Sequence, residues 1–167
     1  MTAQYTDILI YQDGAHSICN EPLSKLLKER SIKFHTPHTA LWRGYTASWK
    51  LIENKLYLVG LKAYLDYDSV VDLDYLYPDH KEVLAEWFTG EIKINLGKLI
   101  EYRHSGYDSI YEKNLIIEVI NGVKIREYIL NNNTLSKRIS RRIARLRSNI
   151  ISYSLPNYQD DYDFLDK

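Results

Sequence analysis

The stretch LWRGYTASWKL, residues 41–51, threads two tryptophans and a tyrosine around one arginine and one glycine. In a strand, side chains alternate between faces. Trp42, Gly44, Thr46 and Ser48 then share one face, and Leu41, Arg43, Tyr45, Ala47, Trp49 and Leu51 share the other. The two indoles point in opposite directions, so this strand needs apolar cover on both sides, as a central strand has. The expectation is one tryptophan in the main core, the other beneath a helix or loop, and Gly44 making room for a neighbouring ring. Arg43 is left over, and its guanidinium must find a carboxylate or the solvent.

The same two-residue period extends outward from this stretch. Residues 5–11, YTDILIY, read as a first strand turned by Asp13-Gly14 into a short second one over 16–19. WKLIENKLYLVGL gives two strands joined at Glu53-Asn54-Lys55. Further strands are expected over 89–95, 98–104, 111–120 and 123–130, the last two joined by Asn121-Gly122, the strongest hairpin signal in the chain. PLSKLLKER places Leu23, Leu26 and Leu27 on one helical face, which predicts a short helix over about 22–30 with Pro22 in its first turn. A helical turn or two is expected after Asp79, and an irregular acidic excursion before it. Leu135, Ile139, Ile143, Leu146 and Ile150 recur at helical spacing and predict a long amphipathic C-terminal helix with Thr134 as its N-cap. The fold class expected is therefore α+β, mainly β: a curled antiparallel sheet of about eight strands packed by a short N-terminal and a long C-terminal helix. A single domain over 1–151 is followed by an acidic, tyrosine-rich tail over 152–167.

Composition fits that frame. A chain of 167 residues can bury about 70% of its unfolded surface without staples. Its 22 basic and 22 acidic groups cancel, so no field of one sign steers the whole molecule toward nucleic acid or membrane. Tyrosine is the dominant aromatic, 15 against three phenylalanines, which suits half-buried sheet faces and interfaces. One cysteine, Cys19, excludes an intrachain disulfide and a multi-cysteine metal site; with no signal-peptide pattern or spanning segment, the expected compartment is the cytoplasm.

The segments WRGYTASW, AEWFTGEIKI and GKLIEYRHSGYDSIYEKNLIIEVING resemble a pattern shared by a group of small uncharacterised bacterial proteins, some of them encoded as immunity proteins beside polymorphic toxins. The resemblance covers about residues 41–122, with a weaker echo in TDILIYQDG and EPLSKLL. It implies a non-enzymatic protein that occludes a toxin domain, and no catalytic residue, metal or cofactor comes with it.

Chemistry legible in the residues themselves points to three function classes. The glycines form neither a GxGxxG nor a P-loop pattern. His35 and His38 flank Pro37 and offer two metal ligands with no third at a zinc-site spacing. Arg103, His104, Ser105, Tyr107 and Asp108 gather around Gly106 and are the candidates for a small hydrolase centred on His104, set against the simpler reading of a strand, a turn and a strand. Glu86, Glu91, Glu101, Glu112 and Glu118 offer carboxylates whose separation decides any glycosidic role. Arg138, Arg141, Arg142 and Arg145 lie on a run without acids, the footprint of a nucleic-acid-binding helix or of a solvated basic face. The leading expectation is a protein-binding module whose contacts are Arg43, Tyr45, Arg103, His104 and Tyr107, together with Asp72, Asp74 and Tyr75 of the acidic tyrosine-rich excursion.

Overall fold

The computed structural model describes residues 3–103 and 106–132. The long C-terminal helix expected after Thr134, the acidic tail over 152–167, the four arginines Arg138, Arg141, Arg142 and Arg145, and His104 all lie outside the described residues.

Three hairpins set the architecture, each closed by two residues at positive φ, as the type I′ turn requires. Strand β1 (Asp7–Tyr11) turns through Gln12 and Asp13, at φ 49° and 59°, into β2 (Gly14–Ile18). Strand β3 (Tyr45–Ile52) turns through Glu53 and Asn54, at 49° and 64°, into β4 (Lys55–Tyr64). Asn121 and Gly122, at 48° and 76°, join two further strands, Ile110–Ile120 and Val123–Asn131. Turns of this hand match the twist of the flanking strands, so each pair stays in register. The first loop sits one residue earlier than the Asp13-Gly14 dipeptide suggests, and Gly14 belongs to the strand.

Between the second and third hairpins, β5 (Val70–Val71) and β6 (Val83–Leu84) add short pairings to β4. Strand β7 (Gly90–Glu101) then leads to β8 (Ile110–Ile120) and β9 (Val123–Asn131), which make a long antiparallel meander. Two separate strands were expected over 89–104; β7 is one strand, carrying register shifts after Leu96 and Leu99, with Gly97 at φ +77° between them. The helical turn expected after Asp79 is replaced by β6, and Asp79 itself adopts φ 64°.

The expected fold class is corrected at its centre. The sheet is not a curled antiparallel sheet packed by helices: β3-β1-β2-β7-β8-β9-β4 run in order, and β4 pairs back onto β3, closing a seven-stranded barrel with β5 and β6 outside the ring. One joint of the ring, β1 with β3, is parallel. A parallel neighbour needs a long crossover, which residues 19–44 supply, with helix α1 (Ser24–Glu29) inside it. α1 has only six residues, shorter than the span expected, and sends Leu26 and Leu27 into the core. With so little helix among the described residues, the apolar sheet face is covered by the sheet's own curvature, which also removes most free edges.

Inside lie Leu9, Ile18, Trp49, Leu56, Leu58, Ile92, Ile94, Ile117 and Val119, all essentially inaccessible. The β3 pattern holds from Tyr45 onward, with Tyr45, Ala47 and Trp49 facing in. It fails before that, because 41–44 form a turn rather than strand: Trp42 is 55% exposed, not packed beneath a helix or loop. Trp49 meets Trp87 at 6.5 Å, and Trp87 stacks on Tyr77, which lies under Arg30. Two joints of the ring are short: β2 meets β7 at Ile18↔Ile94, and β4 meets β9 at Lys55↔Val123. No helix among the described residues is long and apolar enough to cross a membrane.

Gly44 ends the turn that launches β3 at φ +75°, and a Cβ there would sit 2.4 Å from the His35 carbonyl oxygen and 2.8 Å from Phe34 Cβ. The room it makes is therefore for the backbone of the crossover, not for a ring. Gly106 has φ +51° with nothing within 4 Å of an added Cβ. Gly44→Ala should lower stability by roughly 2–5 kcal/mol, left-handed strain plus overpacking, whereas Gly106→Ala should cost only about 1–2 kcal/mol. Urea unfolding of both variants checks the difference; equal losses would mean that the close approach of the crossover does not constrain the fold.

Candidate functional site

Polar residues gather in two places with opposite characters, one closed and one open. The closed one starts with Asp7, the first residue of β1 and inaccessible to solvent at the head of the apolar stretch Ile8–Tyr11. Its Oδ1 accepts from Arg43 Nη2 at 2.6 Å and from the Ala47 backbone N–H at 2.9 Å, and Oδ2 accepts from Trp49 Nε1–H at 3.0 Å. Arg43, in the turn before β3, donates Nε–H to the Tyr45 carbonyl at 2.8 Å and Nη1–H to the Tyr107 hydroxyl at 2.7 Å. The same Nη1 lies 3.4 Å from Glu21 Oε1, and the guanidinium carbon sits 4.8 Å from the centre of the Tyr45 ring. The Tyr107 hydroxyl lies 3.1 Å from the Tyr5 carbonyl and 3.2 Å from Glu21 Oε1, so its one proton serves one of these two acceptors.

The electrostatics follow from burial. Removal from water raises the Asp7 carboxyl above its ordinary value; the Arg43 charge and the Trp49 and Ala47 donors pull the other way, and Glu21 adds to the rise. Burial also pushes the Tyr45 and Tyr107 hydroxyls well up, so both stay protonated at neutral pH. The Tyr45 hydroxyl is buried without a hydrogen-bond partner among the described residues. Chemically this cluster is a clamp. Each Asp7 oxygen already accepts a hydrogen bond, Asp7 is inaccessible and the Arg43 side chain is only 6% exposed, so neither group can meet a substrate without the barrel end opening.

This accounts for three of the expected contact residues. Arg43 and Tyr45 are interior groups whose polar atoms hold β1, the turn at 41–44 and β3 together, and neither offers a surface to a partner. Tyr107 is half-buried and completes the same cluster. Arg103 is exposed and paired with Glu101 at 2.8 Å, while its backbone N–H donates to Ser109 Oγ at 3.1 Å. His35 and His38 do not converge on a common ligand position: the first packs on Tyr67, the second on Tyr5. Asp7 and Glu21 escaped notice in the sequence. The one legible signal was an acid set inside the apolar run DILIY, since a lone carboxylate there must be paired.

The open place lies where β4 meets β5. A groove of about 630 Å³ is lined by Leu61, Lys62, Val70, Val71, Asp72, Asp74 and Tyr75. Leu61 is buried and Val71 half-buried, whereas Val70 and Tyr75 are each about half exposed and the two aspartates are open to solvent. The loop from β4 to β5 is held by Asp66, whose Oδ1 accepts from the Asp68 and Ser69 N–H groups and whose Oδ2 accepts from Ser69 Oγ. Those bonds hold the Asp66 carboxyl below its ordinary value. A turn of 3-10 helix (Leu73–Tyr75) follows, capped by Asp72, whose Oδ1 accepts from the Asp74 N–H at 3.1 Å. Tyr75 is anchored against Phe34 at 6.0 Å between ring centres. Asp72, Asp74 and Tyr75, expected as contacts, are thus brought together on one surface.

Asp7→Asn leaves the Arg43 charge buried beside an amide, and the expected loss is on the order of 3–5 kcal/mol in urea unfolding; a loss below 1 kcal/mol would mean that the pair does not hold the barrel end. The pH dependence has a definite sign. With its folded pKa raised, Asp7 contributes most to stability below about 3.8, and that contribution declines as pH rises through the higher folded value, because the unfolded chain releases the proton first. The carboxyl carbon resonance of Asp7 should therefore titrate above that value in the folded protein. Comparison of the chain with protein-family models, with curated proteins and with solved structures gave no match.

Proposed function

We propose that this protein is a non-enzymatic binding module, immunity-like in role, that occludes a partner protein such as a toxin domain through the acidic, tyrosine-bearing surface at β4 and β5. One observation carries the reading. Asp72, Asp74 and Tyr75 line an open groove, with Tyr67 on the loop before β5 at 76% exposure and Val70 at 50%. Exposed tyrosines and aliphatics beside ordered carboxylates are the composition of a contact surface, where a few anchors contribute most of the binding energy. Asp66 and Asp72 each tie a turn of the loop, which lowers the ordering cost of association.

The resemblance of residues 41–122 to a group of small uncharacterised bacterial proteins, some of them from polymorphic-toxin neighbourhoods, supports a toxin domain as the partner. The free thiol of Cys19 suits a reducing compartment, and we place the protein in the cytoplasm, where such a partner would have to be held inactive.

The test is co-expression with the product of the adjacent gene, followed by size-exclusion chromatography and titration calorimetry. A stable complex is expected. Asp74→Lys combined with Tyr67→Ala, both on exposed positions, should weaken it by about 30-fold or more, corresponding to about 2 kcal/mol at an interface hot spot. Lys50→Ala, exposed on β3, should leave it unchanged. Failure to form any complex would sink the reading, and a complex indifferent to the double variant would remove the groove from the interface.

A further inference from the structure

The groove also indicates the chemistry of what it holds. Resting on the binding role just argued, we infer that it takes an extended cationic segment of the partner, an arginine- or lysine-bearing strand laid along the outer edge of β5. Residues 65–75, LDYDSVVDLDY, hold four aspartates and no basic residue. Asp66 spends both oxygens on its own loop, and Asp72 spends one on capping the 3-10 turn. The second oxygen of Asp72 and both oxygens of Asp74 have no hydrogen bond or ion pair among the described residues, and these are the carboxylates that line the groove. Lys62, the single cation lining the groove, is set against the two carboxylates of Asp72 and Asp74, so the groove keeps a net negative charge.

The backbone completes the argument. β5 ends the strand order: it pairs with β4 at Ala63↔Val71 and Tyr64↔Val70, and its other edge faces no strand among the described residues. An open edge accepts a peptide by strand addition, with alternate side chains directed to one face. Because β5 has only two residues, the main chain can supply only a few hydrogen bonds, and selection must come from the side chains. Cationic groups entering between Asp72 and Asp74 meet carboxylates with charge-assisted bonds, and the half-exposed ring of Tyr75 offers its face to the same cation. The aliphatic neighbours of that cation would cover Val70 and Leu61.

The probe is a synthetic eight-residue peptide of alternating arginine and valine, titrated into the isotopically labelled full chain and followed by backbone amide shifts. Saturable shifts confined to 61–62 and 69–75 are expected. Binding should weaken about tenfold or more in Asp72→Asn/Asp74→Asn, and should fall comparably when salt is raised from about 0.1 to 1 M, as screening shortens from about 10 to 3 Å. A glutamate–valine peptide should cause no shift. The arginine peptide with alternate backbone nitrogens methylated should lose most of its affinity; equal affinity would overturn the strand addition. No shift with the arginine peptide, shifts elsewhere on the surface, or equal binding of the glutamate peptide would overturn the inference. If the complex with the adjacent gene product still forms and still weakens with Asp74→Lys while the peptide fails, only the cationic-strand chemistry falls, and the binding role stands.

Discussion

The ion pair between Asp7 and Arg43 is the constraint on which the barrel end depends. It joins the first residue of β1 to the turn that launches β3, two segments that are parallel neighbours with no hairpin to align them. Hairpins fix register locally, through turn geometry. A parallel joint has no such device, and here the register is set by side chains. One carboxylate holds Arg43, the Ala47 N–H and the Trp49 indole at once, which fixes where β3 lies along β1. The cost of burying charge couples the two partners, since Asp7 without Arg43 would be a buried carboxylate with no cation beside it, and Arg43 without Asp7 would keep only the more distant Glu21 as its counter-ion. Arg43 then passes the constraint outward to Tyr107 and Glu21, so the segment after β7 and the start of the crossover are tied to the same point.

Around that point the barrel is assembled mostly from local pairs. The three two-residue hairpins account for six of the seven ring strands other than β7, and β7 is carried by its long pairing with β8. The joints between these units are thin. Ile18↔Ile94 links β2 to β7, supported by the Cys19 N–H donating to the Lys93 carbonyl at 3.0 Å. Lys55↔Val123 links β4 to β9, supported by Leu56 to Gly122 at 2.8 Å and Lys124 to Asn54 at 2.7 Å. At the end of β1, Tyr11 Oη donates to Glu127 of β9, which lies 3.2 Å from Lys124, so a second, partly exposed polar contact links β1 to β9. Side-chain contacts between strands far apart in sequence therefore supplement joints that have few ladder bonds.

A division of labour follows for the polar residues. Where a charged group serves the fold, it is enclosed and saturated, as Asp7 and Arg43 are. Where carboxylates line the groove at β5, their backbone bonds shape the loop and leave oxygens directed to solvent. Two clusters of similar composition thus differ in what they can do, because one has spent its hydrogen-bonding capacity internally and the other has not. The binding role proposed for the protein draws on the second cluster, while the first serves the fold.

How much of this was readable from residues alone depends on range. Alternation in Tyr45–Trp49, the Asn121-Gly122 turn and the leucines of the short helix were legible because each is decided by atoms a few positions apart. The exposed positions Asp72, Asp74 and Tyr75 of the acidic tyrosine segment were legible for the same reason, whereas the burial of its Leu73 and Leu76 in the core was not. The partner of Arg43 was not, since Asp7 lies 36 positions away and only closure of the ring brings the two together. Nor was the ring itself: alternation says that one face is buried but not whether a helix or the rest of the sheet buries it. That choice, with the turn that turned Trp42 outward and Arg43 inward, was made by the tertiary structure, because burial and charge pairing are settled between segments rather than within them.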